Sequence, residues 1–319
     1  MSEQNLTAAD FADLFGAEAT GLPVEIQMEI EARNWRYRPL NSAERDHAIL
    51  GLLRRVEAKQ FSIVQNRDKS RWEKGWGENL AALQASGGDL ESLSPKYWRP
   101  NQPLRLRGDF VQPRDADFEP AWFKVFTRWF FSTYLQGFDH IFEFGSGSGI
   151  NIPTLATMFG EARICGLDWA RAAVEIVDSL QQHFGPRVTG RSFDFFDPDY
   201  DLDIPDNSAV ITIGAIEQTA SEFQPFLDFL LAKKPRRVLH IEPIVEWYDP
   251  NNLVDYTGIL TQTVRNFMKG YPDALDALEG RGVIRVLKRK RTHFGSLAHE
   301  GYSQLIWEPV RVGNKECGP

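Results

Sequence analysis

Hydrophobic positions are arranged differently in the two parts of this chain. Up to about residue 118 apolar side chains are scattered among charges, glycines and prolines; beyond it, short apolar runs alternate with amphipathic stretches. In the first part, residues 7–16 and 41–60 read as helices. Ser42 is the expected cap of the second, with Glu44 in its first turn and Ile49, Leu52, Leu53 and Val56 on one face. Residues 66–113 set Trp72, Trp76, Tyr97 and Trp98 among glycines and prolines, and read as an irregular but packed segment.

From residue 118 to 136 the aromatic spacing predicts an amphipathic helix. Strands are expected at 140–144, 163–168, 187–192, 208–215 and 237–242, and helices at 150–159, 170–183, 222–231 and 253–269. Strands separated by helices require crossover connections, hence a Rossmann-like, doubly wound and mostly parallel sheet. Two last runs, 283–289 and 302–307, have no helix between them. With residues 290–301 as a long hairpin connection they complete seven strands and an antiparallel edge. The expected domains are an N-terminal, mainly helical and irregular cap over residues 1–118 and an α/β core over 119–319.

Composition narrows the classes. At 319 residues, with 42% hydrophobic and 25% charged side chains, the chain can bury a large core without covalent staples. A net charge of −8 disfavours nucleic-acid and anionic-membrane partners. Cys165 and Cys317 cannot form a disulfide framework, no Cys/His cluster has zinc spacing, and no metal is expected. No signal peptide or membrane-length apolar run is visible, so a cytoplasmic protein is expected, with no membrane insertion; a homodimer is left open.

The most informative segment is His140-Ile-Phe-Glu-Phe-Gly-Ser-Gly-Ser-Gly, in which a strand runs into Gly145-x-Gly147-x-Gly149 and then a helix. Glycines permit a tight turn and close backbone approach by a ligand, and the helix start offers N–H donors. The third glycine comes one residue early for a dinucleotide fingerprint, and no Lys-Ser/Thr pair makes a P-loop. Glu143, two residues before the first glycine, suits a ligand with an ammonium group and repels pyrophosphate.

This arrangement, acid-x-Gly-x-Gly-x-Gly, resembles the first motif of the class I S-adenosylmethionine-dependent methyltransferases. The resemblance covers about residues 119–309. It implies S-adenosylmethionine as cofactor, held by Glu143, Gly145, Ser146, Gly147 and Gly149, with Asp168 at the second strand's end on the ribose hydroxyls and Trp169 beside it. It also implies an acid and an apolar neighbour for adenine. Asp194 with Phe195 fits, Phe193 being the other apolar choice and Asp197 the rival acid. Ala215 and Ile216 follow the fourth strand.

An open α/β sheet places its ligands over the strands' carboxyl ends, which puts Glu217, Gln218 and Glu242 near the methyl group. A partly buried carboxylate can serve as general base; Glu217 is the first choice and Glu242 the second. His240 reads as a packed core histidine, and His293 as a reserve near the site. The basic run 286–293 reads as a charged edge strand, with anion recognition as the alternative. Trp72, Trp76, Tyr97 and Trp98, with Gln218 and His293, are the expected acceptor contacts, since stacking faces and polar forks suit a sugar or another polar ring. Similarity to sugar and small-molecule O-methyltransferases is looser. A nicotinamide-dependent oxidoreductase and a non-catalytic scaffold of the same fold stay open as alternatives.

Overall fold

The computed structural model describes residues 2–17, 21–64 and 68–311; Cys317 lies outside them. The N-terminal region contains β1 (Gln4–Asn5), α1 (Ala8–Phe15), α2 (Val24–Glu31), β2 (Arg36–Pro39), α3 (Ser42–Glu57), α4 (Ser70–Ala85), β3 (Leu104–Leu106) and β4 (Asp109–Pro113). The later region begins with α5 (Phe118–Tyr134), β5 (His140–Phe144), α6 (Ile152–Met158), β6 (Arg163–Asp168), α7 (Arg171–Ser179), α8 (Gln181–Phe184) and β7 (Val188–Ser192). It continues with β8 (Ser208–Ile213), α9 (Gln224–Lys233), β9 (Arg237–Glu242), α10 (Leu253–Arg265), α11 (Tyr271–Gly280), β10 (Ile284–Lys290), β11 (Phe294–Ser296) and β12 (Ser303–Pro309).

Seven strands form one sheet in the order β10-β12-β9-β8-β5-β6-β7. The five from β9 to β7 are parallel; β12 pairs antiparallel with both β9 and β10. The doubly wound expectation is met, and the antiparallel strand sits one place in from the edge. Central strands such as β8 are buried on nearly every position, as a sheet covered on both faces requires.

Several elements differ from the pattern reading. α3 is capped by Asn41, not Ser42: Asn41 accepts from the Glu44 N–H at 2.9 Å while Glu44 accepts from the Asn41 N–H at 2.9 Å, a reciprocal capping box. Residues 70–85, read as irregular, form the helix α4. Gly75 and Gly77 each cost it about 1 kcal/mol against alanine, but Trp72, Trp76, Asn79 and Leu83 recur at helical spacing and are wholly or partly buried. α11 also went unread; Pro272 sits in its first turn, where a missing N–H costs nothing.

The connection 290–301 is more than a hairpin. Its β11 leaves the main sheet and completes a second, antiparallel one in the order β1-β2-β4-β3-β11. Phe294 of β11 stacks on Trp122 of α5 at 3.9 Å, and Phe15 of α1 stacks on Trp129 at 4.9 Å. Helices α1, α2 and α4 therefore share one hydrophobic core with α5 and the main sheet, while α3 packs in a separate cluster with Phe110 and Val254. Among the described residues no helix is long and apolar enough to cross a membrane.

Candidate functional site

β5 ends at Phe144 and the chain turns through three glycines with φ of +75°, +54° and +72° at Gly145, Gly147 and Gly149. Glycine is required at the first two for space as well. A Cβ on Gly145 would stand 2.3 Å from the Ala215 Cβ, and one on Gly147 would stand 2.9 Å from the Trp76 ring. The turn is tied to β6, since the Gly145 and Ser146 N–H groups both donate to the Leu167 carbonyl, at 2.6 and 2.9 Å.

Asp168, the last residue of β6, is buried. Its Oδ2 accepts from the Gly147 N–H at 3.0 Å and its Oδ1 from the Ala170 N–H at 2.9 Å. Burial pushes this carboxyl up to about 6. Each oxygen keeps a further lone pair, so the group that braces the loop can also accept from a ligand. Glu143 lies beneath the turn, 1% exposed. Its Oε1 accepts from Asn151 Nδ2 at 2.6 Å, while its Oε2 and the Ser146 Oγ are buried with no partner among the described residues. Burial, with the Asp168 charge adding to it, pushes Glu143 up to about 8. Buried polar atoms are ordinarily paired, so these orphans suit a polar ligand at the loop.

A cleft opens above the loop, walled by Trp72 and Trp76 on one side and by Trp169, Phe195 and Ala215 on the other. The two α4 tryptophans stack at 5.7 Å. α4 is held in place by two contacts that the sequence reading missed. Glu73 accepts from the Arg171 N–H at 2.7 Å and the Ala172 N–H at 3.2 Å, capping α7 from a distant helix. The available signal was the start of α7, where Ala170 has no capping side chain. Lys69 pairs with Asp194 at 2.8 Å, and Asp194 also accepts from the Phe196 N–H at 2.9 Å. The acid expected at adenine is thus already engaged, as a turn acceptor and as the anchor for the α4 start.

At the ends of β8 and β9, Glu242 is fully buried. Its Oε1 accepts from the Thr212 hydroxyl at 2.7 Å and the Ala215 and Ile216 N–H groups at 3.1 and 3.3 Å; its Oε2 accepts from the Glu217 N–H at 3.3 Å. With four donors, three of them on Oε1, it holds the turn Ile216–Thr219. Glu217 differs. Gln218 Nε2 donates to its Oε1 at 2.6 Å, and no donor among the described residues reaches its Oε2. Burial pushes Glu217 up to about 7, against the Arg265 charge.

His240 is the packed histidine expected. Trp307 Nε1, which can only donate, reaches His240 Nε2 at 3.1 Å, so Nδ1 carries the proton and donates to Thr212 Oγ1 at 2.8 Å. Burial pushes its pKa down to about 3.

The expected acceptor contacts separate. Trp72, Trp76 and Gln218 line the cleft. Tyr97 does not line the cleft; it is 66% exposed, its hydroxyl within electrostatic reach of Glu217 and Glu119. Trp98 packs its ring on Phe123 at 5.2 Å and is a core contact. His293 does not line the cleft; it faces Glu300, Nδ1 to Oε1 3.7 Å, beside Arg291. The two arginines of the basic run are paired internally: Arg289 with Asp276 and Glu279, and Arg291 with Asp255 and Glu300. The run is the charged edge strand, as read. No group of three or more His, Cys, Asp or Glu side chains among the described residues could hold a metal ion.

The strand order and the glycine turn define an α/β protein with a doubly wound, mostly parallel seven-stranded sheet and a ligand cleft over the strands' carboxyl ends. No protein-family model matches the chain, and no curated protein does. Among solved structures it is similar to N,N-8-amino-8-demethyl-D-riboflavin dimethyltransferase from Streptomyces davawensis, at 17% identity and a TM-score of 0.41, covering 61% of this chain and 57% of that one. It is also similar to a SAM-dependent methyltransferase from Aquifex aeolicus, at 15% identity and a TM-score of 0.38, covering 54% and 82%. A third is an O-methyltransferase from neocarzinostatin biosynthesis, in complex with S-adenosylmethionine and 2-hydroxy-5-methyl naphthoic acid. It shows 14% identity and a TM-score of 0.40 over 60% and 57% of the two chains. The chain thus spans little more than half the length of two of these three proteins.

Proposed function

We propose that this protein transfers a methyl group from S-adenosylmethionine to a small-molecule acceptor. The observation that carries the reading is the glycine turn braced by Asp168, with the unpaired Glu143 Oε2 and Ser146 Oγ buried beside it. The cofactor would supply an electrophilic methyl on a sulfonium. Asp168 would accept from the ribose hydroxyls, Glu143 would face the ammonium end, and Trp169 and Phe195 would bracket the adenine. Asp194 would reach the adenine amino group only by sharing its carboxylate with Lys69.

The residues of this chain would contribute alignment and dryness. Trp72 and Trp76 of α4 cover the cleft and exclude water, which in-line displacement favours. Glu217, raised toward neutrality and with an open oxygen, would take a proton from a hydroxyl or amine acceptor. Glu242 orients it through the Glu217 N–H. A net charge of −8 supports a small molecule over a nucleic acid as acceptor. The nicotinamide alternative is opposed by Glu143, which would meet pyrophosphate with a carboxyl.

The test is calorimetric titration with S-adenosylhomocysteine, using intact protein and Asp168→Ala, with NAD in parallel. Micromolar binding that falls at least tenfold in the variant is expected. No binding by the intact protein, or tighter binding of NAD, would overturn the reading.

A further inference from the structure

The corner between Glu217 and the end of α10 holds buried polar groups with no partner among the described residues. Arg265, the last residue of α10, lays its guanidinium over the Phe267 ring at 4.2 Å, and its Nε is buried without a partner. Phe267 meets the His299 ring edge-on at 5.3 Å, and the His299 Nδ1 is likewise buried and unpaired. One turn earlier on α10, Gln262 is 1% exposed with neither amide atom partnered. The backbone ties this corner to the candidate base, since the Met268 N–H donates to the Glu217 carbonyl at 2.9 Å.

A second cation approaches from α4. Arg71 lines a side cleft together with Trp72 and Gln218, next to the main one. Asp68 also lines it, but its carboxylate is taken by the Ser70 N–H and hydroxyl at 3.0 and 2.6 Å. Among the described residues neither Arg265 nor Arg71 forms an ion pair. The charges of Glu217 and Arg71 both act on Arg265, so two cations share one carboxyl there. A largely buried cation without a paired anion is costly, as are buried amide and imidazole atoms without hydrogen bonds. An acidic ligand group would accept from the guanidinium groups, whose forks match carboxylate and phosphate oxygens.

We propose that Arg265 and Arg71 hold an acidic group, a carboxylate or a phosphate ester, on the methyl acceptor, with the atom to be methylated turned toward Glu217. This rests on the methyl-transfer reading and names its substrate class: an acid that also carries a hydroxyl or amine. Trp72 borders both clefts and carries the Arg71 guanidinium over its ring at 5.1 Å, which sets that cation between them.

The experiment titrates protein saturated with S-adenosylhomocysteine with benzoate, phenyl phosphate and the neutral control benzyl alcohol. Binding of one anion, at least tenfold tighter than benzyl alcohol, is expected; the stronger of the two identifies carboxylate or phosphate. Arg265→Gln should weaken that anion at least tenfold, and the surface variant Arg71→Gln several-fold, each leaving S-adenosylhomocysteine affinity unchanged. Arg71→Gln carries the test if Arg265→Gln does not fold. The proposal is overturned if neither anion binds, if benzyl alcohol binds equally, or if the variants bind the anion like intact protein. Failure of S-adenosylhomocysteine itself to bind, seen before any anion is added, sinks the methyl-transfer reading and this proposal with it.

Discussion

Replacing Glu143 with glutamine should flatten the pH dependence of stability in the cofactor-free protein. Burial, with the Asp168 charge behind it, pushes Glu143 from 4.5 up to about 8. Between those values the folded chain retains a proton that the unfolded chain has released, so stability falls as pH rises through that window. From pH 5.5 to 8 the interval is about 2.5 pH units at about 1.4 kcal/mol each, or about 3 kcal/mol from this one group. Asp168, Glu217 and Glu242 are raised in the same direction, so the wild-type slope contains them all. Subtracting Glu143→Gln isolates Glu143, because glutamine keeps the shape and can still accept from Asn151. Urea unfolding at pH 5.5, 7 and 8.5 makes the measurement. The variant should gain about 3 kcal/mol on wild type across the range. A difference constant within about 0.5 kcal/mol, the scale expected for an ordinary surface substitution, would refute the reasoning. S-adenosylhomocysteine, whose ammonium welcomes the ionised carboxyl, should shrink the wild-type slope.

Two further substitutions test the supporting contacts. Glu242→Gln removes a carboxylate that receives four donors and turns an NH₂ toward N–H groups; it should destabilise by about 1–3 kcal/mol and speed hydrogen exchange at the Glu217 amide, and unchanged exchange there would count against its orienting role. Glu73→Gln removes an anion from the α7 start and should cost about 0.5–1 kcal/mol, while trypsin cleavage within Ser70–Ala85 becomes several-fold faster; equal cleavage rates would mean that α4 is held by its tryptophans alone.

What the sequence made legible follows from periodicity and turn chemistry. Strands β6 and β9 were read at their observed limits, because buried parallel strands are uninterrupted apolar runs closed by an acid. The glycine turn and Asp168 were legible for a related reason, since only glycine tolerates the Gly145 and Gly147 conformations. α4 was not. Its two glycines masked a tryptophan stripe whose helical form is decided by packing on the glycine turn, a tertiary effect that propensity does not carry. Glu242 was found but its surroundings were not: sequence shows a carboxylate at a strand end, not the four donors that surround it. Arg265 and His299 were missed altogether, because they meet through Phe267 from segments far apart in the chain.

The second sheet has a consequence for how the protein is made. β3 is flanked by β4 and by β11, and Arg105 of β3 reaches the Leu297 carbonyl 192 positions along the chain. Until Phe294–Ser296 leaves the ribosome, β3 has a bare edge, open to pairing with another nascent chain. Closing that sheet is a long loop closure and belongs among the slow steps of folding. Chains arrested before residue 294 should therefore clump through the half closest to their N-termini, although the fault lies in what has yet to be synthesised.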